Sequence, residues 1–495
     1  MNFKLIKNYG QGLGMAQSDQ SKQTDFTLRT DFQHDDDGVP PSGEVRPDAI
    51  KGIVITVIAA IIAYVLYAFL PFEPLANKGL ALLSFIGILW LTEAIHVTAT
   101  AILVPLLALF IGIPDFNTKA ALTSFANPII FVFFGGFALA ATLHVQKLDK
   151  KIAYGLIGLA GGHLGRAVMM MFGVTAALSM WISNTATAAM MLPLAIGLLA
   201  QVDANKDRNT FLFVLLGIAY SASIGGLGTL VGSPPNTIAA KELGIDFREW
   251  MSFGLPMAIV LMPFLIGAMY AILRPNLGQR VELGTQEAIP MTLPRILTTI
   301  IFIATAACWI FGKQLGAVLG FSNPDTVIAL FAAVAVLLLG LVSWKQISDN
   351  TDWGVLMLFG GGIALSDVMK DTGASAVLGE SIATFLGNSS TLLVIFVIAA
   401  FIIFLTEFTS NTASAALLVP LFAPIGVQLG LPPEVLIMVI GIGASCAFMM
   451  PVATPPNAII MGSGHVKQKD MMKVGFWLNL VAIVIVTAWA YLFLA

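Results

Sequence analysis

Two stretches of this 495-residue chain set the same polar triplet before the same kind of apolar helix. They are SNTATAAMMLPL, Ser183 to Leu194, and SNTASAALLVPL, Ser410 to Leu421, identical at eight of twelve positions. Ser, Asn and Thr are strong N-cap residues, and the Ala- and Leu-rich runs behind them are good helix formers. A helix starting there turns free N–H groups and a positive dipole end toward the triplet, which favours an anion. A helix arriving at the same place ends in unpaired carbonyls, which favour a cation. Hydroxyls and the Asn side-chain oxygen add further hard ligands. Each triplet is therefore suited to hold a small cation beside an oxyanion.

Two proline-rich segments repeat in step with the triplets: GSPPNT, Gly232 to Thr237, and ATPPNA, Ala453 to Ala458. Consecutive prolines cannot continue a helical hydrogen-bond ladder, so both segments are expected to break their helices and expose backbone carbonyls. A third pair is GGFAL, Gly135 to Leu139, and GGIAL, Gly361 to Leu365. The three pairs follow one another in the same order at nearly constant offset, which indicates an internal duplication.

The elements that must carry these motifs are long apolar runs. Hydrophobic residues make up 57% of the chain and charged residues 11%, with a mean hydropathy of +0.88. A soluble domain carries about 25% charged residues, and most of the runs here reach the roughly 20 residues that span a bilayer. The expected fold is an all-α polytopic membrane protein. Strand alternation is absent, which excludes an outer-membrane barrel. Cys308 and Cys446 lie in apolar runs, and the five histidines have no metal-ligand spacing. No nucleophile–base or metal constellation suggests an enzyme, and no basic patch suggests nucleic acid.

The runs are read as eleven transmembrane helices plus two re-entrant hairpins. Residues 1–48 form an expected disordered cytoplasmic tail and 49–75 the first transmembrane helix. A first repeat covers 76–275 with its hairpin at 166–202. A cytoplasmic linker at 276–294 leads to a second repeat, 295–495, with its hairpin at 391–428. A 37-residue hairpin unit is about 55 Å long as one helix, too long for one crossing of ~30 Å and too short for two crossings and a turn. With the N-terminus inside, fifteen Lys and Arg fall on the inner side against six outside, the bias expected of cytoplasmic loops. The C-terminus is then periplasmic. Five crossings separate the two triplets, an odd number, so the repeats face opposite ways, as in inverted-repeat transporters.

No Lys or Arg interrupts a span interior. Glu93 and Glu407 sit in Thr-Glu pairs within apolar runs; Glu407 precedes its triplet by nearly one turn and could cap or brace it. Without a fixed positive charge, a dianion entering this region needs bound cations as counter-charge. The small-residue runs SIGGLGTLVG, Ser223 to Gly232, and GIGASCA, Gly441 to Ala447, are read as close helix packing.

At the paired SNT and PPN motifs the sequence resembles the divalent anion–sodium symporter family, the INDY-type dicarboxylate transporters, from Ile50 to Ala495. The resemblance is nearest to the bacterial sodium–succinate members. It implies a homodimer in a bacterial inner membrane, with a scaffold part and an elevator-like transport part. Succinate, fumarate or malate would be carried in with two or more Na⁺. Carried over by position, the first sodium site would use Ser179, Ser183, Asn184 and the Gly232 carbonyl. The second would use Thr406, Asn411 and the Ala453 carbonyl, with Thr409 or Ser410 nearby. Substrate carboxylates would meet Asn184, Thr185, Asn411 and Thr412, with Ser233, Ser410, Thr454 and Pro455 close by. A cation-independent exchanger, or a citrate or sulfate symporter on the same fold, are the alternatives.

Overall fold

The computed structural model describes residues 47–114, 116–203, 206–281, 288–386 and 389–495. Nearly all of the expected tail, and the middle of the expected linker, lie outside these residues. The chain divides into the units Met1–Ile50 and Lys51–Ala495, and the second holds every residue of the candidate site.

Among the described residues the secondary structure is helical without a strand, apart from one isolated bridge between His163 and Arg280. Nine helices among the described residues are long and apolar enough to cross a bilayer. The number is ten if Gly312–Leu319 and Pro324–Leu338, bent by 92°, count as one span. Two of the eleven expected crossings fall outside that number. Of the apolar runs that the sequence offers as crossings, 97–113 carries only the twelve-residue helix Val97–Ala108, and 433–463 is divided into Pro433–Ala444 and Pro455–Gly462. One of the nine, Asn411–Gln428, is an arm of the expected second hairpin.

Each of the two expected hairpin units is divided into two helices. Leu164–Ser179 and Asn184–Leu199 have 16 residues each, and Thr391–Leu405 and Asn411–Gln428 have 15 and 18. At 1.5 Å per residue a 16-residue arm is about 24 Å long, less than the ~30 Å hydrocarbon core. The chain breaks between Ser179 and Asn184 and again between Leu405 and Asn411, and each returning helix starts on the Asn of its triplet.

The element order recurs. Each hairpin is followed by a helix, a non-helical break and a short helix. These are Arg208–Gly225 and Pro234–Leu243 in the first copy, Pro433–Ala444 and Pro455–Gly462 in the second. From Thr210 to Gly228 the Arg208–Gly228 span is buried throughout. At the periphery Leu293–Ile310 is only 17% buried, and Ile259, Phe264, Ile303 and Phe331 are exposed. That apolar surface is suited to lipid hydrocarbon.

Candidate functional site

The prolines of the two PPN segments do not interrupt a helix from within. Pro234-Pro235 and Pro455-Pro456 occupy the first two positions of their short helices, where a missing N–H costs nothing. The break is the loop ahead of them, Thr229–Ser233 in the first copy and Ser445–Thr454 in the second.

Reciprocal packing brings the copies together. The short helix Pro234–Leu243 packs on Asn411–Gln428 and on Pro433–Ala444, while Pro455–Gly462 packs on Asn184–Leu199 and on Arg208–Gly225. Each short helix thus lies against the opposite copy's tip helix and broken helix. The Ser233 and Ser445 hydroxyls meet across the junction at 3.2 Å, and the Tyr220 hydroxyl donates to the Phe448 carbonyl at 2.7 Å.

At each tip a hydroxyl meets the amide of the triplet Asn and a carbonyl of the neighbouring broken helix. Ser179 Oγ lies 2.6 Å from Asn184 Oδ1 and 2.7 Å from the Ala222 carbonyl. Thr406 Oγ1 lies 2.7 Å from Asn411 Oδ1 and 3.1 Å from the Ala444 carbonyl. One clustering of neutral oxygens is therefore built twice. In the first cluster the Asn184 amide oxygen faces acceptors. Turned over, the amide would donate to Ser179 Oγ at 2.6 Å, to the Ala222 carbonyl at 3.1 Å and to the Gly232 carbonyl at 3.2 Å. Neutral hydroxyl, amide and carbonyl oxygens suit a hard cation. No group of His, Cys, Asp and Glu among the described residues could hold a transition metal.

The other expected residues surround these clusters. Ser183 caps its helix, its hydroxyl accepting from the Ala186 N–H at 3.2 Å. Ser410 makes no such bond; beside it the Thr409 and Ser414 hydroxyls pair at 2.6 Å. Thr185 is half-buried, Thr412 and Ser233 are buried, and Pro455 is exposed. Thr454 accepts from the Asn457 N–H at 3.4 Å. Ala453 is buried, with its N–H on the Met450 carbonyl at 3.3 Å. Ser183, Asn184, Ser410 and Asn411 are all partly exposed.

Several participants escape sequence reading. The Ala222 and Ala444 carbonyls belong to apolar residues with no distinguishing type. Gly226 lies so near that a Cβ on it would sit 2.5 Å from Asn184 Oδ1 and 3.0 Å from the Gly232 carbonyl. Glu407 braces the neighbouring break. Its carboxylate accepts from the backbone N–H groups of Phe448, Met449 and Met450 at 2.7–3.0 Å and from Asn479 Nδ2 at 2.7 Å. Among the described residues no lysine or arginine side chain is buried.

Residues 48–494 match the family described as the sodium:sulfate symporter transmembrane region, and the chain belongs to that family. It is 56% identical over 451 residues to an uncharacterized transporter of Haemophilus influenzae, covering 90% of this chain and 97% of the relative. It is 33% identical over 460 residues to the sodium-dependent dicarboxylate transporter SdcS of Staphylococcus saprophyticus, covering 85% and 88%. Among solved structures it is similar to the YdaH transporter of Alcanivorax borkumensis, with a TM-score of 0.55 over 90% of this chain and 97% of that one. At 14% identity that likeness shows the fold alone. The protein is a transporter and not an enzyme.

Proposed function

We propose that this transporter is a sodium-coupled symporter of C4-dicarboxylates such as succinate, fumarate and malate. It would lie in a bacterial inner membrane with the N-terminus cytoplasmic and the C-terminus periplasmic. The reading rests on the duplicated oxygen cluster, Ser179–Asn184–Ala222 in one copy and Thr406–Asn411–Ala444 in the other. The sodium-dependent dicarboxylate relatives agree with it.

One Na⁺ takes Ser179, Ser183, Asn184 and the Gly232 carbonyl. A second takes Thr406, Thr409, Asn411 and the Ala453 carbonyl. With both ions bound, the tips present two positive charges and two helix N-termini to a dianion, replacing part of its hydration. Its carboxylates meet Asn184, Thr185, Ser410, Asn411 and Thr412, with Ser233, Thr454 and Pro455 lining the junction. The repeats are inverted, the protein is a homodimer, and the tip-bearing elements move together across a fixed scaffold to change access.

Radiolabelled succinate uptake into proteoliposomes, with and without an inward sodium gradient, tests this. Uptake driven by sodium and not by potassium is expected, and Asn184→Asp or Asn411→Asp abolishes it by setting a fixed negative charge beside the dianion. Gradient-independent uptake overturns the coupling. Stronger competition by unlabelled citrate or sulfate than by succinate overturns the substrate.

A further inference from the structure

The Asn of each PPN segment has no part in the sites proposed above, yet it repeats with them. Asn236 and Asn457 are both wholly buried. Asn236 Nδ2 donates to the carbonyls of Gly226 and Thr229, both at 2.7 Å. Asn457 Nδ2 donates to the carbonyls of Ala447 and Met450, at 3.1 and 3.0 Å. In each copy the acceptors lie ten and seven residues before the Asn. Neither Oδ1 has a hydrogen-bond partner. The two side chains act as donors only, each pinning two carbonyls of the segment that joins the broken helix to the short helix.

That pinning reaches the cation clusters through the backbone. The carbonyl held at Thr229 also accepts the N–H of Gly232 at 3.4 Å, and the carbonyl held at Met450 accepts the N–H of Ala453 at 3.3 Å. Gly232 and Ala453 are the residues whose own carbonyls are assigned to the ions. The other carbonyl held by Asn236 belongs to Gly226, where an added Cβ would lie 2.5 Å from Asn184 Oδ1 and 3.0 Å from the Gly232 carbonyl. Without the amide, two buried carbonyls lose their donor and the turn carrying the ligand carbonyl loses its anchor.

We propose that Asn236 and Asn457 are positioning residues, each setting the loop carbonyls of one cation site and neither touching the ion. The proposal rests on the sodium reading above. It makes the effects local: Asn236 governs the Ser179–Asn184 site, and Asn457 governs the Thr406–Asn411 site.

The test uses the full-length protein purified in detergent. Its thermal unfolding midpoint is followed as NaCl replaces choline chloride at constant ionic strength, so that sodium binding appears as stabilisation. Asn236→Ala is expected to raise the half-effective sodium concentration about tenfold. In a Ser179→Ala background, where that site is already broken, it adds no further change. In the same background Asn457→Ala removes the remaining sodium response, and the mirror pattern holds with Thr406→Ala. Such non-additivity marks groups that act through one site. A merely structural role would lower every midpoint equally and leave the sodium dependence alone. If Asn236→Ala does not fold, Asn236→Ser, which keeps one donor, is read in the same way. Wild-type sodium dependence in the Asn236 and Asn457 variants overturns the clamps while leaving sodium coupling standing. Absence of any sodium response in the unaltered protein overturns the coupling and the clamps together.

Discussion

The carboxylate of Glu407 accepts a hydrogen bond from Asn479 at 2.7 Å, joining the second tip to the final span Gln468–Phe493. The same carboxylate takes the N–H groups of Phe448, Met449 and Met450. Glu407→Ala would leave three backbone donors and one amide without their acceptor in a buried setting. A loss of about 3–5 kcal/mol is expected, the range for removing one partner from a buried charged network. Glu407→Gln keeps one acceptor oxygen and should lose less. Thermal unfolding and monodispersity in detergent measure both. An Ala variant as stable as the parent would show that the bracket carries no stability.

Gly226 offers a sharper probe of the first cluster. An added Cβ would lie 2.5 Å from Asn184 Oδ1, the end of a side chain that can give way. Gly226→Ala should therefore fold but raise the sodium needed for half-maximal uptake by about tenfold, the equivalent of ~1.4 kcal/mol. Gly173→Ala is the control. It lies within Leu164–Ser179, and a Cβ added there would meet no atom within 4 Å. Exchanging Gly for Ala in a helix interior stabilises by about 0.5–1 kcal/mol. Equal sodium curves for the two variants would remove Gly226 from the site.

How far the sequence foretold this arrangement depends on where the signal resides. Ser183 and Asn184 announce a helix start by residue type, and the structure starts the helix there. Gly225, in the run read as close packing, does pack closely: a Cβ on it would come within 2.3 Å of the Ala176 carbonyl oxygen. Ala222 and Ala444 contribute backbone oxygens, which leave no trace in residue type. The PPN prolines were expected to break a helix and instead begin one, because Pro is as well suited to the first turn as it is unsuited to the interior. The triplet Ser was expected to cap both tips. Ser183 does so, whereas at Ser410 the neighbouring hydroxyls of Thr409 and Ser414 pair with each other.

Glu242, on the short helix Pro234–Leu243, reaches Lys370 at 2.6 Å and Ser366 at 3.2 Å on Trp353–Asp371. If the tip-bearing elements slide past Trp353–Asp371 during transport, this ion pair must part in every cycle. Lys370 is half exposed, so the pair contributes on the order of 1 kcal/mol. Lys370→Glu is expected to slow uptake several-fold by opposing two acids, and adding Glu242→Lys should restore it. Failure of the charge swap to rescue, with both proteins folded, would mean the pair does not bear on the cycle.

Trp181 supplies an optical test that needs no transport. It lies two residues before Ser183 and stacks on Phe247, with centroids 6.0 Å apart and planes at 26°. Phe247 stacks in turn on Trp309 at 4.7 Å, and the edge of Phe302 meets Trp181 at 5.2 Å. The first tip therefore connects to Leu293–Ile310 through packed rings, whose offset contacts contribute about 0.5–1.5 kcal/mol per pair. If an ion enters between Ser179 and Asn184 as proposed, the break between them is expected to close on it and change the setting of the Trp181 ring. Sodium, and not choline, should then shift tryptophan emission in the purified protein. Trp181→Phe, which keeps an aromatic ring in the stack, should abolish most of that shift while sodium still raises the unfolding midpoint. Were the full shift to persist in Trp181→Phe, the first tip would not be where the ion acts on the aromatic stack.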